Sequence, residues 1–350
     1  MPPSPSRPEP AEQQPPAEQR TRAADLEPEG NRGTADWRSD PGFTMPERVP
    51  WSELGPDFTA AWSGADPATG QSESAEIVGP SGSGKTHLML TMLQDHYRHQ
   101  EAQRQASGRE HIRTGAVLVV TKADDQIFRR LGWPVASRAD EIRDTNVIYW
   151  PRTNKTGTER RAFHEARIRA LLDRLWRPKA NTLVAFDEVG YVESLSGELR
   201  AVIQQYWREG RSLGITVLAM KQRPQGALRD MHSETSWTAV FKPKDRGDAE
   251  RFAELLGHRR DWLPVLDGLD RQAHEFVLRH APTEEAYVSW VDVPLRPQKI
   301  RRRRGHAAMI ARLWHGWPRA RRRSGTSGCP MRSGSRRSSA RTARERTCPR

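Results

Sequence analysis

Along the middle of the chain, short runs of consecutive apolar residues alternate with longer stretches in which apolar residues recur every three or four positions. A continuous apolar run of four to six residues marks a strand buried on both faces, and the longer period marks a helix laid over it. The alternation therefore predicts an α/β fold, a mostly parallel sheet flanked by helices. The strands expected are 76–78, 116–121, 146–150, 182–186, 215–219 and 237–241, with a late pair at 275–279 and 286–291. The clearest helix starts after Thr158, read as its N-cap, and carries Ile168, Leu171, Leu172, Leu175 and Trp176 on one stripe until Pro178 ends it.

The pattern fails at both ends. Residues 1–50 hold eleven of the 26 prolines among Glu, Gln and Arg, and residues 296–350 mix Arg, Ser, Gly, Thr and Pro without periodicity. Neither segment offers enough apolar surface to offset the entropy of ordering, so both are expected to be disordered, leaving 51–295 as one large domain. Charge divides in the same place. The chain is +13, yet 296–350 carries 18 Lys and Arg against one acid, Glu345, which leaves 51–295 near −1. A basic tail of this composition also fits a GC-rich gene read out of frame. High net charge therefore gives no basic folded face, and any binding site in the body has to be found by motif. Both cysteines, Cys329 and Cys348, lie in the tail, so the body holds no disulfide. No apolar run approaches the roughly 20 residues that span a bilayer, and a cytoplasmic setting without a membrane partner is expected.

Gly79-Pro80-Ser81-Gly82-Ser83-Gly84-Lys85-Thr86 matches G-x-x-x-x-G-K-[ST], with the Ile77-Val78 strand before it and an apolar helix pattern after it. Glycines in such a loop let successive N–H groups turn inward at a helix N-terminus, making a cradle for phosphate. Lys85 is placed for the β- and γ-phosphates of ATP and the Thr86 hydroxyl for Mg²⁺. The apolar run 182–186 then delivers Asp187 and Glu188 at its C-terminal end, where α/β sheets place ligands. Asp187 suits Mg²⁺, and Glu188 suits a general base that polarises the attacking water. A strand between the two motifs, and a Glu directly after the Asp, favour the additional-strand, catalytic-Glu (RecA-like) class of P-loop NTPase over nucleotide kinases. His96 and His99 lack a third ligand at metal spacing, and no zinc site is expected. Core packing and exposure in the tails account for most of the twelve tryptophans more simply than base stacking does.

Downstream, Gly210-Arg211 leads into the strand 215–219 and then Gln222-Arg223-Pro224, followed by strand 237–241 and the helix pattern 248–257. In this the chain resembles the FtsK/HerA superfamily of DNA-translocating ATPases over roughly 76–257. The resemblance implies that Gln222 senses the γ-phosphate and positions the lytic water. It implies that Arg211, ahead of Arg208, is an arginine finger presented to a neighbouring subunit, and that Lys122 and Asp124 hold the place of an acidic and basic pair. It also implies a ring homo-oligomer, of six, moving double-stranded DNA. No membrane anchor or winged-helix reader accompanies the motor core, which matches mobile-element, phage or plasmid versions. Two other readings stand beside it: an ATP-gated switch or scaffold acting on a protein partner, and a phage-type packaging ATPase, whose usual nuclease domain the acid-poor tail cannot supply.

Overall fold

A computed structural model of the chain describes residues 42–63, 73–107, 115–142, 146–177, 182–222 and 232–295. The terminal segments expected to be disordered lie outside these residues, apart from 42–50. Among the described residues ten strands form one sheet: β1 (Glu47–Arg48), β2 (Ala75–Val78), β3 (Gly115–Val119), β4 (Val135–Ala136), β5 (Asn146–Tyr149), β6 (Thr182–Phe186), β7 (Ile215–Lys221), β8 (Trp237–Phe241), β9 (Phe276–His280) and β10 (Ala286–Ser289). Their spatial order is β1-β10-β9-β8-β2-β7-β6-β3-β5-β4. From β8 to β4 every neighbouring pair is parallel. Only the β8–β9 and β9–β10 pairings are antiparallel.

Strands β2, β3, β6, β7 and β8 are apolar over nearly their whole length because both faces are covered. One face, with Ile77, Leu118, Leu183, Leu218 and Ala239, receives α1 (Trp51–Ser63) and α2 (Lys85–Ser107). The other is covered by α3 (Gly157–Leu175), α4 (Val189–Leu195) and α5 (Gly197–Glu209) over β7, β6, β3 and β5. On that same face α6 (Arg246–Leu256) and α7 (Arg259–Asp267) cover β2 and β8 to β10.

The strand expectations hold to within a residue or two at each end. Helix α3 starts two residues early: its N-cap is Thr156, not Thr158, with Gly157 in a left-handed conformation opening the helix. Ile168, Leu171, Leu172 and Leu175 are buried as the stripe requires. Sequence pattern misses β1, β4 and α1. The first two are two residues long, too short to show a period. Helix α1 contains Gly55-Pro56, a pairing that reads as a break. Packing overrides it: Trp51, Phe58 and Trp62 are all but fully buried on one side of the helix. The start of the domain is also stitched to its end, with β1 beside β10 and the Trp51 amide donating to the Trp290 carbonyl at 3.0 Å. The sheet thus begins inside the segment that composition assigns to the arm.

Trp51, Trp62, Trp133, Trp150, Trp207, Trp237 and Trp262 are all buried, so these rings pack the core and are not free to stack on bases. No helix among the described residues is long and apolar enough to cross a membrane. Phe58 lies 5.3 Å from both Trp51 and Trp62 and meets Trp237 edge-on at 5.0 Å. Phe58→Ala is expected to cost about 3–5 kcal/mol, read as a lowered urea midpoint at unchanged slope. A loss under about 1 kcal/mol would show that α1 contributes little to the core.

Candidate nucleotide site

Parallel pairing brings the C-terminal ends of β2, β7, β6 and β3 to one edge of the sheet, and every motif residue except Arg211 follows one of those ends. Beyond β2 the loop from Gly79 to Gly84 leads into α2, whose first residues are Lys85 and Thr86. Gly79 has no room for a side chain: a Cβ there would stand 2.7 Å from the Phe241 Cβ. Gly84 has φ +106°, a backbone conformation that costs other residues strain. Lys85 folds back over its own loop and donates to the Pro80 carbonyl at 2.7 Å. Burial lowers its amine to about 8; Glu188 pulls the other way, and Lys122 and Lys244 lower it further.

Asp187 follows β6 and is buried. Its Oδ1 accepts from the Thr121 amide at 3.0 Å and the Thr121 hydroxyl at 2.9 Å. Its Oδ2 is buried with no partner, as is the Ser83 hydroxyl in the loop opposite. Burial raises the Asp187 carboxyl to about 6, against the opposing effect of those two hydrogen bonds and Lys122. A carboxylate held by one oxygen with the other bare, together with the Thr86 hydroxyl at the start of α2, supplies oxygen donors of the kind that suit Mg²⁺. The residues present fit that ion. Glu188 stands at the N-cap of α4 without capping it, its carboxyl raised by burial and lowered by a hydrogen bond from Gln222 and by Lys85 and Lys122. Val78 pairs with Lys221, so Gln222 begins level with Gly79, and the Gly79 amide donates to the Lys221 carbonyl at 3.2 Å. Gln222 therefore stands between the loop and Glu188.

Other expectations fare differently. Arg223 and Pro224 lie outside the described residues. Lys122 pairs with Asp125 at 3.2 Å and not with Asp124, which faces Gln126 and Arg152. The reason is local: Asp125 caps the short 3₁₀ helix after β3, which turns its carboxylate back toward Lys122. Arg211 is exposed in the 3₁₀ turn before β7, at the opposite edge of the sheet. The seven residues of β7 separate it from Gln222 by about 23 Å at ~3.3 Å per residue. Arg211 cannot reach its own chain's nucleotide, and Arg208, in the last turn of α5, starts from the same edge.

Sequence reading missed five contributors. Thr121 aims Asp187. Glu76, on β2, is buried between Lys221 at 2.7 Å and His232. Burial alone would raise the Glu76 carboxyl, but Lys221 and His232 outweigh it and hold it at about 2. His274, from the turn before β9, donates from Nδ1 to the Ser83 carbonyl at 3.1 Å. None belongs to a motif, and the only signal was a charged residue inside an otherwise apolar run at Glu76 and Lys221.

The strand order settles the class of fold. β7 separates the P-loop strand from the Asp-Glu strand, and β8 lies on the other side. The chain is an additional-strand P-loop NTPase fold. No family model matches this chain, and no curated protein does. Solved structures similar to it include the genome packaging NTPase B204 of Sulfolobus turreted icosahedral virus 2 with sulfate, at 11% identity and TM-score 0.45 over 63% of this chain and 97% of that one. Another is the cytoplasmic domain of the Thermomonospora curvata type VII secretion ATPase EccC, at 17% identity and TM-score 0.41 over 65% of this chain and 27% of that one. A third is EssC, ATPases 2 and 3, from Geobacillus thermodenitrificans, at 14% identity and TM-score 0.39 over 65% and 40%. At TM-scores this low the likenesses carry no argument, and the class rests on strand order and motif positions.

The Lys85 amine sets a pH dependence. It must be charged to hold a polyphosphate, and in the free chain it loses its proton near pH 8. A polyphosphate raises that value, so affinity is full below pH 8 and falls as pH rises through it. Titration of a fluorescent ATP analogue should show progressive weakening from pH 7 to 9.5, absent in Lys85→Met, which binds at least tenfold more weakly throughout. A flat wild-type profile would mean that Lys85 does not meet the phosphates.

Proposed function

We propose that the protein is a Mg²⁺-dependent ATPase of the FtsK/HerA type that works as a ring of six and moves double-stranded DNA. The observation that carries the reading is that Gln222 and Glu188 follow the paired strands β7 and β6 beside the loop that opens α2, close enough for Gln222 to lower the Glu188 carboxyl. It joins a γ-phosphate sensor to a general base at the one place where the terminal phosphate of a nucleotide on Gly79–Thr86 would arrive. Lys85 swings from the Pro80 carbonyl to the β- and γ-phosphates. Thr86 and Asp187 would hold Mg²⁺, which would supply positive charge against that developing on the phosphates. Glu188 accepts the proton of a water that Gln222 orients in line with the phosphorus. Leaving Glu188 partly desolvated raises its basicity toward what a base at neutral pH needs.

Placement of Arg211 supports the ring. Beyond reach of its own site, it can serve only a neighbour's, and a head-to-tail assembly brings the edge before β7 toward the next subunit's nucleotide. The near-zero charge of 51–295 favours a second reading, an ATP-gated switch acting on a protein partner, because a DNA-lining face is expected to be basic. Handling of DNA for packaging is compatible with the same motor chemistry.

The deciding experiment is ATP turnover with and without duplex DNA, together with mass in solution. The motor reading expects DNA to stimulate turnover of a ring. Glu188→Gln should keep ATP binding and lose about 10²–10⁴-fold in turnover, and Arg211→Ala should poison mixed rings. A chain that stays monomeric with ATP and hydrolyses it with no response to DNA would contradict the motor and favour the switch.

A further inference from the structure

On the β8 side of the loop lies an open cleft lined by Pro80 to Ser83, by Phe241 at the end of β8 with Lys242 and Lys244 just past it, and by Arg271, His274 and Glu275 before β9. Asp187, Glu188 and Gln222 all lie on the opposite, β7 side of β2. A nucleotide whose terminal phosphate meets Glu188 must run its other end away from β7, and the cleft continues the loop's surface in that direction.

The far wall of the cleft is held rigidly. Asp270 Oδ1 accepts from the Gln272 and Ala273 amides at 2.7 and 3.3 Å, and Glu275 accepts from the Asp270 amide at 2.6 Å. Arg271 donates to the Pro243 carbonyl at 2.7 Å, and Lys242 to the carbonyls of Asp267 and Leu269 at 2.8 and 2.6 Å. Within this turn His274 has φ +54°, an unusual conformation for a residue with a side chain. The conformation lays its ring against the loop backbone, so close that a Cβ on Gly84 would stand 3.1 Å from the His274 Cβ. Its Nδ1 meets the Ser83 carbonyl. A carbonyl only accepts, so Nδ1 carries the proton, and in the neutral ring Nε2 is left as a bare acceptor.

We propose that His274 binds the nucleoside end of the nucleotide, its Nε2 accepting a hydrogen bond from a ribose hydroxyl or from the exocyclic amine of the base. The inference rests on the nucleotide-site reading above and adds to it a recognition residue outside every motif. The imidazole does two jobs through two nitrogens: Nδ1 braces the loop, and Nε2 reads the ligand. The cations around it, Lys244 and Arg271, set the field of the cleft but give no means of telling one nucleoside from another.

The two jobs are separable. In His274→Asn the side-chain amide replaces the Nδ1–H and the backbone keeps a residue that tolerates positive φ, while the Nε2 acceptor is gone. Calorimetric titration of the full chain with the Mg²⁺ complexes of ATP, 2′-deoxy-ATP, ITP and inorganic tripolyphosphate separates the parts. Expected for His274→Asn is ATP binding about three- to tenfold weaker than wild type, the worth of one hydrogen bond, with tripolyphosphate unchanged. Loss of discrimination against 2′-deoxy-ATP identifies the ribose hydroxyl as donor, and loss against ITP identifies the amine. Equal weakening of ATP and tripolyphosphate would make His274 a brace alone and overturn the proposal, as would a variant that binds both as wild type does. A loss with ATP that leaves discrimination against both analogues intact would overturn the hydrogen bond. His274→Ala, which removes brace and acceptor together, should weaken both ligands, and undiminished tripolyphosphate binding there would refute the brace. A wild-type chain that binds neither ATP nor tripolyphosphate would overturn the nucleotide site itself, and one that binds tripolyphosphate but not ATP would overturn only the His274 assignment.

Discussion

Everything at the site depends on β2 pairing with β7 in one register. Val78 lies opposite Lys221, and the first residue of the loop, Gly79, is tied by its amide to the Lys221 carbonyl. A slip of one residue would reverse every side chain of β7 between the two faces. It would carry Lys221 away from Glu76 and leave a carboxylate buried with its main cation gone, at a cost of about 3–5 kcal/mol. The buried Glu76–Lys221 pair therefore acts less as a source of stability than as a register lock. By fixing β7 it fixes Gln222, and by lying between β2 and β6 it sets the gap that separates the loop from Asp187 and Glu188.

Within that gap the charged groups are held in unfavourable states. Lys85 is lowered to about 8, Asp187 raised to about 6, and Glu188 raised as well, in each case chiefly by burial. In each, burial works against the charged form. A polyphosphate with a divalent cation supplies opposite charge to all three at once. Binding should thus release an electrostatic stress that folding has stored on Lys85, Asp187 and Glu188, the groups assigned to phosphate, metal and water.

Much of the site was legible in the sequence because its chemistry needs particular residue types at fixed spacing. The loop Gly79–Thr86 and the pair Asp187–Glu188 each follow a strand that announces itself as an apolar run. Gln222 was legible only through resemblance, since a lone glutamine after a strand carries no signal of its own. What stayed hidden was set by distant pairing. Thr121 serves Asp187 from 66 positions away and His274 serves Ser83 from 191, and no local pattern encodes such a contact. The same holds for α1, where Gly55-Pro56 reads as a break and only the aromatic cluster with Phe58, Trp62 and Trp237 explains the helix. Lys122 meets Asp125 and not Asp124, because capping the short 3₁₀ helix turns Asp125 toward it.

The account turns on Gln222 acting on chemistry rather than on binding. Its most direct test is the parallel measurement of ATP affinity and single-turnover hydrolysis in Gln222→Ala. Loss of one positioned group should slow hydrolysis about 10²–10³-fold while affinity stays within about twofold. Hydrolysis at the wild-type rate, or a loss that tracks affinity alone, would contradict the placement of the sensor and with it the proposed site.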